Sequence, residues 1–155
     1  MLNPKLQERF RAYGEFHRHP VNRLTHKVGV PLVIFHTAAM LDWMQLSFGS
    51  YGHVSVAILG FVVLVSWYLL LSVRYGVLMA LFYGFCILLG RLTPVWVVWA
   101  IAFVAWTIQF AGHGIWEKQS PTLFKSFSDA LFAPLFFAAV LFGDWTPESC
   151  LLNEP

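Results

Sequence analysis

Half of the six histidines in this 155-residue chain, His17, His19 and His26, fall within ten residues near the N-terminus, and His113 follows far downstream. Neutral imidazoles are good ligands for iron, zinc, copper or nickel, whereas magnesium and calcium prefer oxygen. Asn22 stands one helical turn before His26, where it can donate or accept a hydrogen bond beside a ligating ring. Downstream, Gln109, His113 and Glu117 recur every four residues and so share one stripe of a helix. A histidine and a carboxylate on adjacent turns can ligate one ion together, or the carboxylate can orient the ligating ring. The same spacing also suits a solvated helix end with a His to Glu pair. Gln109, set in an apolar run, must in either case find a partner for its amide. A basic interfacial segment that meets lipid head groups explains Arg18, Arg23 and Lys27, but leaves His17 and His26 unexplained.

The elements that hold these residues are apolar. Hydrophobic residues make up 58% of the chain and charged ones 12%, against about 25% charged in soluble domains, and they fall in long runs. This composition predicts an all-α polytopic transmembrane helix bundle, a single integral-membrane domain over residues 1–155, with four or five membrane segments. Residues 3–18 read as an amphipathic interfacial helix, with Leu6, Phe10, Tyr13 and His17 on one face and Glu8, Arg11 and Glu15 on the other. His19-Pro20 permits a break, after which Val21 to Thr25 can start a second helix. Within residues 28–111 four apolar helices are expected: Val28 to about Phe48, Val54 to Val73, Tyr75 to Gly90, and Val95 to Ala111. Residues 112–126 form a polar motif segment, and residues 127–155 a short apolar segment, broken by Pro134, with an acidic tail.

Six of the ten basic residues, Lys5, Arg9, Arg11, Arg18, Arg23 and Lys27, precede the first apolar run, which places that end in the cytoplasm. Four crossings then return residues 112–125 to the same side, so the two histidine-bearing segments share one membrane face. His53 falls on the opposite side and His36 within an apolar helix, so neither joins the cluster on this count. A site facing the cytoplasm is expected, in the inner membrane of a bacterium or the endoplasmic reticulum of a eukaryote. The polar N-terminal stretch does not look like a signal peptide. Cys86 and Cys150 support neither a disulfide framework nor a thiolate metal motif, and a basic segment leading straight into a span argues against nucleic acid.

Taken together, His17-x-x-Pro20-x-Asn22-x-x-x-His26-x-x-Gly29-x-Pro31 and Gln109-Phe110-x-Gly112-His113-x-x-x-Glu117-x-x-x-Pro121 resemble the small membrane family of 2-hydroxy fatty acid dioxygenases found in fungi, plants and bacteria. Ala133-Pro134 in a later apolar run extends the similarity, whereas the middle spans match only in being apolar. The resemblance implies an Fe(II)-dependent enzyme that uses molecular oxygen to shorten a 2-hydroxy fatty acid by one carbon, which in eukaryotes serves phytosphingosine breakdown. It implies a metal site at His17, His26 and His113, with Glu117 as a further ligand or as a partner of one. Asn22, Gln109 and Glu117 are the candidate catalytic residues, and Arg18, Arg23 and Lys27 can attract the substrate carboxylate while the lipid bilayer takes the acyl tail. His19 departs from the eukaryotic pattern, in which an asparagine is familiar. Two other readings compete: a non-enzymatic membrane scaffold or lipid-binding protein, and a transporter, which would need polar sites near the bilayer midplane.

Overall fold

The computed structural model describes residues 4–15, 17, 19–118 and 127–145. Arg18 therefore lies outside the described residues, as does the side chain of Glu117. The chain is helical: α1 Pro4–Glu15, α2 Pro20–Asp42, α3 Val56–Leu71, α4 Val73–Leu92, α5 Val95–Ala111 and α6 Phe127–Leu141. A short hairpin, β1 Gln45–Ser47 with β2 His53–Ser55, joins α2 to α3, and a π-helical segment, Gly112–Glu117, continues α5. Two compact units form, one from Met1–Val30 with Trp106–Pro155, the other from Pro31–Ala105.

In the first unit, α1 buries Leu6, Phe10 and Tyr13 while Lys5, Glu8 and Arg11 remain exposed. The i, i+4, i+7 spacing sets these three on one stripe. That stripe packs on α6, where Phe10 meets Phe136 edge to face at 5.7 Å and the Arg9 guanidinium lies 5.5 Å over the Phe132 ring. Trp145, just beyond α6, closes on Phe10 at 5.9 Å.

In the second unit, α3 and α4 run antiparallel. Tyr68 and Tyr83 bring their rings to 6.4 Å, and Gly76 lies so close to the Leu69 backbone that a Cβ there would stand 2.7 Å from it. The helix ends are fixed by short polar residues. Ser55 Oγ accepts from Ile58 N–H at 3.3 Å and starts α3, while Ser72, in extended conformation, ends it. Val54 and Ser55, expected inside the span, instead pair with Leu46 and Gln45 in the hairpin. Gly49 and Gly52 take positive φ values of 62° and 100° to turn it, and His53 is exposed on it. Asp42, at the end of α2, receives two bonds from Arg91, Nε to Oδ2 at 2.8 Å and Nη2 to Oδ1 at 3.0 Å.

Among the described residues, three helical stretches are long and apolar enough to cross a bilayer: Pro20–Asp42, Val73–Leu92 and Val95–Trp116. The second helix and the first apolar run, separate in the sequence reading, are one continuous α2, with Pro31 inside it. With 16 residues, α3 reaches only about 24 Å. Large apolar side chains on these helices point outward, Leu70, Leu81, Leu92 and Trp96 among them, as suits contact with lipid.

Candidate metal centre

His17 lies just past α1, two residues beyond Glu15, and would be a loop side chain but for Tyr13. Its ring stacks on the Tyr13 ring at 4.2 Å with an interplanar angle of 15°, and its Nδ1–H donates to the Tyr13 carbonyl at 2.9 Å. A carbonyl oxygen can only accept, so Nδ1 carries the proton and Nε2 keeps its lone pair. That Nε2 is buried with no hydrogen-bond partner among the described residues. Burial pushes the His17 pKa down to about 4, and the neighbouring His113 ring adds to the fall, against the Tyr13 carbonyl, which raises it. The ring is therefore neutral at physiological pH, the form that ligates metal.

The same device recurs one helix later. His26 Nδ1–H donates to the Asn22 backbone carbonyl at 2.9 Å, one turn back, so its Nε2 likewise keeps its lone pair. The Asn22 carbonyl also accepts from Thr25 Oγ1–H at 2.7 Å. Phe137 of α6 stacks on the His26 ring at 5.6 Å and 25°.

His113 arrives on the π-helical segment. Lys118 ends that segment in the left-handed region, φ 53°, and its N–H donates to the His113 carbonyl, the i to i+5 bond of a π turn. The α-helical stripe expected for Gln109, His113 and Glu117 thus holds only as far as Ala111. Two glycines let this segment close on α2. A Cβ on Gly112 would collide with Thr25 Oγ1 and stand 2.6 Å from Asn22 Oδ1, and one on Gly29 would stand 3.2 Å from Gln109 Cδ.

These constraints converge. The His17, His26 and His113 rings lie 4.6 to 5.1 Å apart, centroid to centroid, and each pair is near perpendicular, at 71° to 87°. One nitrogen from each lies within 4.8 Å of the others, and all three residues are buried, so the group can hold a metal ion. An unpartnered buried Nε2 at His17, with backbone carbonyls fixing two tautomers, is what a metal-binding imidazole set requires. Asn22 is wholly buried beside the cluster, and Gln109 is buried with its Oε1 lacking a hydrogen-bond partner among the described residues.

His19 takes a different part. Its Nδ1 accepts from Val21 N–H at 3.2 Å and its carbonyl from Arg23 N–H at 3.1 Å, with Pro20 as the first helical residue. It caps α2, the position where an asparagine does the same work. Its ring lies 6.4 Å from Trp116.

Arg23 and Lys27 line a cavity of about 360 Å³ together with Leu24, Phe136, Phe137 and Val140. Motif spacing does not point to Phe136 and Phe137; the one sequence signal near them is Ala133-Pro134 in the same apolar run. Tyr13 is legible as the residue one turn before His17 on the apolar face of α1.

No solved structure matches the chain. Among curated proteins it is 28% identical over 140 residues, covering 84% of this chain and 76% of the relative, to the 2-hydroxy-palmitic acid dioxygenase MPO1 of Saccharomyces cerevisiae. A family model described as 2-hydroxy-palmitic acid dioxygenase Mpo1-like matches residues 4–145, which span both histidine segments and every described helix, and the chain belongs to this Mpo1-like family.

Proposed function

We propose that this protein is an iron(II)-dependent dioxygenase that α-oxidises 2-hydroxy fatty acids and shortens them by one carbon. The observation that carries this is the convergence of three buried imidazoles, two of them held by backbone carbonyls with Nε2 turned to ligation. Family membership and the yeast relative's name supply the substrate class. His17, His26 and His113 would hold the iron, with Glu117 as a further ligand or as the group that orients one. Ferrous iron supplies redox chemistry with molecular oxygen that no side chain here can provide. The overall change, 2-hydroxypalmitic acid and oxygen to pentadecanoic acid, carbon dioxide and water, balances without an external reductant.

The chain's own residues do the rest. Asn22 holds the His26 tautomer through its carbonyl. Gln109, whose Oε1 has no hydrogen-bond partner among the described residues, would accept a hydrogen bond from the substrate hydroxyl. Arg23, Lys27 and Arg18 attract the carboxylate, and the acyl tail stays with the bilayer. In this reading α2, α3, α4 and α5 are four crossings, α6 is a fifth apolar segment, α1 lies along the interface, and the site faces the cytoplasm.

Protein purified anaerobically is expected to carry about one iron per chain and to convert 2-hydroxypalmitate to pentadecanoic acid in the presence of oxygen. Folded, metal-free and fully active protein sinks the metal assignment. Absence of product across several chain lengths favours a scaffold or lipid-binding role instead.

A further inference from the structure

Phe137, like Phe136, whose ring lies 6.5 Å from that of His17, is shared by two places. One face of its surroundings is the metal centre: it stacks on His26 at 5.6 Å and meets His17 edge to face at 6.1 Å. It also lines the cavity that carries Arg23 and Lys27. These two cations lie one turn apart on α2, so both can reach one carboxylate, and the remaining lining, Pro20, Leu24, Phe136 and Val140, is apolar. A cationic rim with an apolar wall complements an amphiphilic acid. The volume, about 360 Å³, is near the low end for small-ligand sites, about 300 Å³, and suits the polar end and first carbons of a long chain.

We infer that this cavity is the subsite for the carboxyl end of the fatty acid, and that Phe137 is the specificity-determining residue between it and the imidazoles. The inference rests on the dioxygenase reading for its substrate class, but the binding site can be tested without turnover. With the carboxylate at Arg23 and Lys27, the first carbons of the chain meet Phe137, the cavity wall that also touches His17 and His26. The carbon beyond the one that bears the 2-hydroxyl then lies against that ring. Bulk there, such as a 3-methyl branch, is what Phe137 excludes.

Two measurements test this on the intact protein in detergent. The first is the dissociation constant of cis-parinaric acid, a fluorescent long-chain fatty acid, for metal-free protein. The Arg23→Gln/Lys27→Gln double variant is expected to weaken it about tenfold, the scale of a charge-assisted contact. Unchanged fatty-acid binding overturns the subsite, and so does a loss confined to association with anionic lipid vesicles, which would make these cations head-group contacts. The second is the ratio of kcat/KM for 3-methyl-branched over straight-chain 2-hydroxy acids, expected to rise about tenfold in Phe137→Ala and less in Phe137→Leu, which keeps more of the wall. Iron content per chain is expected to stay at the wild-type value in Phe137→Leu. An unchanged ratio in both variants, with turnover of the straight-chain acid retained, overturns the role of Phe137 and leaves the dioxygenase reading standing. No turnover even by wild-type protein, with fatty-acid binding lost in the double variant, fails the dioxygenase reading while the subsite holds.

Discussion

Among the described residues, the unit formed by Met1–Val30 and Trp106–Pro155 buries His17, Asn22, His26, Gln109 and His113, whereas Pro31–Ala105 buries His36, Asp42 and Ser55. In the second unit Asp42 takes both arms of the Arg91 guanidinium, and Ser55 caps a helix. In the first, His17 Nε2 and Gln109 Oε1 are buried without hydrogen-bond partners. Buried polar atoms cost free energy when unmet, on the order of 1–3 kcal/mol each. Asp42 and Ser55 carry their partners within the fold, whereas the bare Nε2 of His17, set beside two further buried imidazoles, is what a bound group would meet. Polarity near a membrane span is thus a sign of function only after its local partners have been counted.

The sharpest way to break this contrast is to remove one of the three converging rings. His17→Ala and His113→Ala are each expected to lower pentadecanoic acid formation at least about a hundredfold and to reduce iron per chain. Arg91→Gln strands a buried Asp42 carboxylate and is expected to lower the thermal midpoint, with iron per folded chain unchanged. If Arg91→Gln loses iron as His113→Ala does, the two regions are not separate in purpose.

Glycine substitutions sharpen the same comparison at a smaller scale. Gly112→Ala forces a methyl group onto Thr25 and Asn22, at a cost of about 1–3 kcal/mol, and is expected to reduce iron content with the loss of stability. Gly90→Ala meets Ala39 Cβ at 2.8 Å and is expected to reduce stability alone, while Gly114→Ala has nothing within 4 Å to meet and serves as the control. Metal analysis and thermal unfolding on the three variants decide this.

Much of this was open to sequence reasoning for plain reasons. Long uncharged runs with Arg74 and Arg91 to Pro94 near their ends set helix limits close to those of α4 and α5, whereas Pro31 and Pro134 fall inside α2 and α6 without ending them. The motif spacing singles out His17, His26 and His113, and the structure gathers these three. What escaped depends on contacts no period encodes. The π-helical register at Gly112–Glu117 has no hydropathy signature, and the hairpin takes Val54 and Ser55 out of an apolar run that reads as span. The Asp42 to Arg91 pair joins residues 49 apart, visible in sequence only as two isolated charges near the ends of apolar runs.

His19 gives the smallest effect and the finest test. Its neighbours His17 and His26 donate through Nδ1 to carbonyls, whereas His19 Nδ1 accepts from an amide, so its proton sits on Nε2. That opposite tautomer makes it a cap for α2, the helix that carries Asn22 and His26. An asparagine oxygen can accept from the same amide, so His19→Asn is expected to keep stability to within a few tenths of a kcal/mol, while His19→Ala loses about 1 kcal/mol. Trp116→Leu removes the ring neighbour without touching the cap, and is expected to leave helix stability closer to that of His19→Asn than of His19→Ala. All three variants are expected to hold one iron per chain, because the nitrogens that converge belong to other residues. Iron lost from a fully folded His19→Asn protein would move His19 from cap to ligand, and with it the boundary between the residues that bind and those that position.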